Sequence, residues 1–123
     1  MLTKDYFDVK PSTIAKGEKG LFARKNIPVG TFMFTAFYKN TGINTKVFEY
    51  QFIQTKINSY INHSETPNLY NFYWPRGKFI QFYTVAKRNI KAGEELTKDY
   101  QNSINMIKNL GYSFSHDWLW FKK

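Results

Sequence analysis

The sequence predicts a mainly β fold, built of short strands and small sheets with little helix, in one domain. Three observations predict it. Apolar residues fall in short bursts broken by Gly, Pro, Asn and Asp; two of the bursts alternate apolar with polar residues; and one nine-residue unit occurs twice. A chain of 123 residues has room for a single core. With twelve Phe, nine Tyr and three Trp, a core of this size can be packed largely with rings.

In chain order, strands are expected over Gly20 to Ala23, Thr31 to Tyr38, Phe48 to Phe52, Phe79 to Val85 and Glu95 to Tyr100. Phe48-Glu49-Tyr50-Gln51-Phe52 sets rings against polar residues as a half-buried strand does, and Ile80, Phe82, Thr84 and Ala86 lay a second stripe on one face. The repeated unit is Ala23-Arg24-Lys25-Asn26-Ile27-Pro28-Val29-Gly30-Thr31, which returns as Ala86-Lys87-Arg88-Asn89-Ile90-Lys91-Ala92-Gly93-Glu94. Each copy reads as strand end, basic turn, buried Ile, then a Gly turning with positive φ. Helix is expected only over Ser103 to Leu110, where Ile104, Ile107 and Leu110 share a face and Gly111 follows as a stop. No linker or low-complexity tract divides the chain, so residues 1–123 form one unit, with a core of about 15–101 and an aromatic tail of 102–123.

Charge and composition narrow the chemistry. The net charge of +9 suits an anionic partner, or serves as a solvated coat on an aromatic-rich domain. The absence of cysteine removes disulfides, thiolate nucleophiles and Cys-based zinc sites. Two histidines, His63 and His116, without His-Glu-x-x-His spacing do not make a metal set, and no serine elbow or phosphate loop is present. Charges at Lys4 and Asp5, with no apolar run of roughly 18 residues anywhere, lead us to expect a soluble, intracellular protein that makes no membrane contact. Asn62-His63-Ser64 is formally a glycosylation sequon, which that expectation sets aside.

Three segments carry the chemical signal. Lys16-Gly17-Glu18-Lys19-Gly20-Leu21-Phe22 opens the first β-unit; Asn62-His63-Ser64-Glu65-Thr66-Pro67-Asn68 is a turn of small polar residues with an amide beside an imidazole; and Gly93-Glu94-Glu95-Leu96-Thr97-Lys98-Asp99-Tyr100 follows the second unit. In this order and spacing they resemble the SET domain of protein lysine methyltransferases, over roughly Gly17 to Tyr100. The chain length is similar to that of minimal, free-standing SET proteins of viruses and bacteria.

The resemblance implies a β-clip-like SET fold with a C-terminal pseudoknot, and an enzyme that moves methyl from S-adenosylmethionine to a lysine amine. S-adenosylhomocysteine is the implied product. It places the cofactor against the backbone of Glu18, Lys19, Gly20 and Leu21 and against Asn62 and His63, with Trp118 closing the pocket. Tyr100 becomes the catalytic tyrosine, with Tyr38 a second one, and Lys98 and Tyr70 fall to the substrate channel. Departures from the family pattern are Glu18 at the first glycine of the opening loop, Ser59 where an Arg is common, and Lys98 where relatives carry Phe or Tyr. Residues two apart on a strand share a face, so Lys98 is expected beside Tyr100. Its amine either borders the channel and repels a charged incoming lysine, or snorkels to solvent.

Methyl transfer needs a neutral amine in line with a sulfonium, so the site must position the amine and strip its proton. The partner is then a protein bearing a target lysine. The +9 charge favours an acidic protein or a lysine on a nucleoprotein over a free basic tail. A homodimer is compatible with the minimal relatives. Two other readings stand beside this one: a SET-like protein that has lost catalysis and only binds, and a basic, ring-rich nucleic-acid-binding module, with nucleic acid also an accessory partner of the enzyme. Gly17-Glu18-Lys19-Gly20 and Arg76-Gly77-Lys78-Phe79 echo loops of two RNA-binding folds, but neither has the required context.

Overall fold

The computed structural model describes residues 1–39, 52–75 and 80–110. Its elements are strands β1 (Phe7–Pro11), β2 (Lys19–Ala23), β3 (Phe32–Lys39), β4 (Phe52–Gln54), β5 (Asn62–His63), β6 (Leu69–Trp74), β7 (Gln81–Ala86) and β8 (Thr97–Lys98), then helix α1 (Tyr100–Asn109). Short 3-10 turns cover Lys4–Tyr6 and Asn58–Tyr60. The strands make three small sheets: β1-β2, β4-β3-β7-β6 and β5-β8. All pairings are antiparallel except β5 with β8, which is parallel. The mainly β expectation holds. The expected strand over 48–52 lies outside the described residues except for its last position, which opens β4.

The repeated units fold against each other as a reciprocal clasp. Ile27 and Ile90, each 1% exposed, exchange two backbone hydrogen bonds of 2.8 Å. Each turn also satisfies the other: Asn89 Oδ1 accepts from the Val29 N–H at 2.8 Å, and Asn26 Oδ1 from the Ala92 N–H at 2.9 Å. Gly30 at φ +81° and Gly93 at φ +94° supply the left-handed turns that a side chain would resist. Two copies of one sequence pattern thus join the start and the end of the domain, and the closing motif follows directly from the second.

The main core gathers Leu21, Ile27, Ile61, Leu69, Ile90 and Leu96 beneath the clasp. A second cluster lies between the four-stranded sheet and α1, where Ile107 meets Ala36, Phe37 and Phe82. Ile104 and Ile107 are the buried stripe of the helix, as its spacing predicts. The helix begins three residues before the expected start, because the Asp99 side chain caps it by accepting from the N–H groups of Gln101 and Asn102. It therefore crosses the expected boundary between core and tail. No helix among the described residues is long and apolar enough to cross a membrane.

Candidate active site

The parallel pairing of β5 with β8 sets Asn62 against Thr97 and His63 against Lys98, which brings the middle and closing motifs together. Ser64 N–H extends the pairing to the Lys98 carbonyl at 3.0 Å. Asn68 pins the far end of the motif: its Nδ2 donates to the Glu95 carbonyl at 2.9 Å and its Oδ1 accepts from the Thr97 N–H at 2.9 Å. Buried amides bonded on both sides in this way hold a loop still.

Tyr100 is the first residue of α1, and this decides its surroundings. Its backbone N–H is one of the donors a helix start leaves without an intrahelical partner, and it goes to His63 Nδ1 at 3.0 Å. That contact puts the ring proton of His63 on Nε2. The two rings pack against each other at 5.2 Å with a 55° tilt. The phenol O–H donates to the Ile61 carbonyl at 2.7 Å.

The opening loop is fastened to the same place by Glu95. Its carboxylate accepts from Ser12 Oγ at 2.6 Å, from the Thr13 N–H and Oγ1 at 2.8 Å each, and from Asn62 Nδ2 at 3.2 Å. Burial alone would raise the Glu95 carboxyl, but these donors outweigh it and hold the group below its ordinary value. Ser12 Oγ also accepts from the N–H groups of Ile14 and Ala15, so the loop is tied into a turn. Asn62, 2% exposed, completes the join by donating to the Lys19 carbonyl at 3.0 Å. A Cβ on Gly20 would lie 2.5 Å from Glu95 Oε2, so any larger residue there has to displace that carboxylate.

The structure thus brings together Lys19, Gly20, Asn62, His63 and Tyr100. Glu18 lies in the adjoining loop, where its N–H donates to Ala15 and its carbonyl accepts from Ser12. Leu21 is 1% exposed and its carbonyl accepts from the Leu96 N–H, so it belongs to the core. Trp118 lies outside the described residues. Tyr38 stands on the four-stranded sheet, in register with Gln81 and Ile53, and is 41% exposed. Sequence reading missed Glu95 as the fastener, although its place inside the closing motif was a signal.

Lys98 departs from the expected strand alternation with Tyr100 and from the snorkelling alternative. Strand β8 ends at Lys98 and Tyr100 is already helical, so the alternation of a strand does not relate the two side chains. Nor does the side chain snorkel. Lys98 is 3% exposed, and its Nζ donates to Asn58 Oδ1 and Asn71 Oδ1 at 2.6 Å and to Thr84 Oγ1 at 2.8 Å. Asn58 and Asn71 are themselves aimed by Gln54 and Ser103. Burial pushes the amine well below the usual lysine range. Lys98 and Tyr70 both line a cavity of about 150 Å³ beside the start of α1, together with Asp99, Asn102 and Ser103.

The SET domain family model matches residues 36–101. A histone-lysine N-methyltransferase of Mycosarcoma maydis, H3 lysine-36 specific, is 32% identical over 122 aligned positions, covering 79% of this chain and 12% of the relative. The chain therefore spans a small part of that protein. Among solved structures, Polycomb Repressive Complex 2 of Chaetomium thermophilum matches with a TM-score of 0.63 at 22% identity, over 85% of this chain and 17% of that one. A Plasmodium falciparum candidate histone methyltransferase matches with a TM-score of 0.56 at 18% identity, over 77% of this chain and 92% of that one. At these identities the structural likeness is one of fold, whereas the family match spans more than half the chain and includes both the middle and the closing motifs. The chain belongs to the SET domain family.

Proposed function

We propose that this chain is a protein lysine N-methyltransferase that uses S-adenosylmethionine. One observation carries the reading: three motifs far apart in sequence converge where Asn62 holds the Lys19 carbonyl and His63 holds the backbone of Tyr100. The residues suit the cofactor, because Asn62 and His63 supply an amide and an imidazole where the opening loop meets the closing motif. Lys19, Gly20, Asn62 and His63 are assigned to holding it, with Glu18 at the rim. When bound, S-adenosylmethionine supplies an electrophilic methyl group and departs as S-adenosylhomocysteine.

Tyr100 orients the acceptor. Its O–H donates to the Ile61 carbonyl, which turns phenol lone pairs towards an incoming amine N–H. Lysine amines ordinarily titrate near 10.4, so the nucleophile must shed its proton, and desolvation in a narrow channel favours the neutral form. The cavity beside Lys98 and Tyr70 is assigned to the substrate side. The substrate is a protein bearing an accessible lysine, of which the H3 lysine 36 substrate of the fungal relative is one instance.

Calorimetric titration with S-adenosylmethionine, together with transfer of labelled methyl to protein in a cell extract, tests the proposal. Tyr100→Phe is expected to reduce turnover tenfold or more with cofactor affinity nearly unchanged, and Asn62→Ala to weaken the affinity itself. Equal loss of affinity and turnover in Tyr100→Phe would make that tyrosine structural. A wild-type chain that binds no cofactor at millimolar concentration would overturn the enzyme reading.

A further inference from the structure

The four-stranded sheet has two faces with different fates. One packs on α1 through Phe37, Phe82 and Tyr73, and the other is turned away from the helix. An antiparallel sheet face towards water is ordinarily polar. Here it carries rings. Phe72 on β6 stands in register with Tyr83 on β7, and Val85 is flanked by Tyr70 and Phe32. Phe32 touches Phe72 and Tyr83 at centroid distances of 5.3 and 5.7 Å, and Trp74 touches the same two rings at 6.1 and 6.3 Å. The four rings form one continuous cluster spanning three strands. Phe32 and Trp74 are each 37% exposed and Tyr70 is 39% exposed.

We propose that this face is a stacking platform for single-stranded nucleic acid. Three features select that occupant. First, the exposed apolar surface is made of rings, Phe32, Tyr70 and Trp74 among them, with Val85 buried beneath at 0%, and bases stack on aromatic side chains whatever their sequence. Second, the polar residues interleaved with the rings are neutral: Thr35 Oγ1 donates to Gln81 Oε1 at 3.1 Å in the middle of the sheet. Third, the body carries +9, which draws a polyanion and opposes docking of a second, equally charged copy. Lys87, exposed and held by its N–H to the Asn68 carbonyl, adds a cation where β7 ends beside the start of β6. The four-ring cluster shares no residue with the proposed methyl-transfer site, so it stands whether or not that reading does, while Tyr70 and Lys87 at its edge also line the cavity beside Lys98.

The test is fluorescence anisotropy of a labelled oligothymidylate of roughly 12 nucleotides, titrated with the full chain without methyl donor. The wild type is expected to bind with a dissociation constant of about 1 to 100 μM near physiological salt, and more tightly as salt falls. Phe72→Leu with Tyr83→Leu, which keeps the face apolar but removes two rings, is expected to weaken binding by about a hundredfold with an unchanged salt slope. Lys87→Gln is expected to lower that slope by about 0.7. Thermal melts establish that the variants fold, and Phe32→Leu and Trp74→Leu singly replace the double variant if it does not. The proposal fails if the wild type does not bind, if the ring variants bind as well as wild type, or if a blunt duplex binds as tightly as the single strand. It fails equally if sedimentation shows a dimer that the ring variants dissolve, because the face is then an interface between copies.

Discussion

Replacing Lys98 by Met is the most informative single change in this domain. The substitution keeps the length of the side chain and removes the amine, leaving the oxygens of Asn58, Asn71 and Thr84 without the donor they share. Each buried acceptor left unsatisfied costs about 1–3 kcal/mol. Against that, the variant no longer buries an ionisable group, which relieves several kcal/mol of desolvation. The balance is a net destabilisation of about 3 kcal/mol at neutral pH. The pH dependence carries a second signature. In the unfolded chain the amine keeps its proton up to about 10.5, whereas burial makes it release the proton at lower pH in the folded chain. Between those two values the unfolded chain binds one proton more, so wild-type stability rises with pH through that window, by at most about 1.4 kcal/mol per unit. Lys98→Met lacks this slope, so its deficit is smallest in acid and grows as pH climbs towards 10.5. Urea unfolding of both proteins from about pH 7 to about pH 10 reads magnitude and slope together. A variant within about 0.5 kcal/mol of wild type, or a deficit that stays flat over the range, would refute the buried-cage account.

Two further substitutions probe the frame around the site. Gly20→Ala drives a Cβ to within 2.5 Å of Glu95 Oε2, so the carboxylate must leave Ser12 and Asn62; we expect a loss of about 1–3 kcal/mol, read by thermal unfolding, and faster amide exchange over Ser12 to Ala15. Asn26→Ala and Asn89→Ala each remove the acceptor for one backbone N–H of the opposite turn, so each should cost about 1 kcal/mol by denaturant titration and the pair should sum, while an effect confined to one of them would break the reciprocity of the clasp.

Legibility in the sequence varied from element to element for identifiable reasons. Strand β3 announced itself as a ring-rich burst after a Gly, and the clasp as a repeated pattern. Strand β6 gave no period-two signal, because Leu-Tyr-Asn-Phe-Tyr-Trp has apolar residues on both faces. Strand β1 does alternate Phe7 and Val9 with polar residues, but Pro11 closes it and reads as a break. The start of α1 was hidden by the closing motif: Asp99 and Tyr100 read as a strand end, although an Asp before Tyr-Gln-Asn-Ser is also a helix cap.

By itself the sequence determined a small β-rich domain, the three motifs with Asn62, His63 and Tyr100 among them, and the turns that need Gly30 and Gly93. Those are local matters of backbone preference and side-chain inventory, which short stretches of chain express on their own. Tertiary structure alone decided which distant groups meet. It turned Lys98 inward onto Asn58, Asn71 and Thr84, made Glu95 the fastener of the opening loop, and gathered Phe32, Phe72, Trp74 and Tyr83 onto one face of the four-stranded sheet. The reason is physical. A buried amine, a multiply bonded carboxylate and a ring platform each draw partners from segments tens of residues apart, and no periodicity along the chain encodes a contact that only tertiary folding creates.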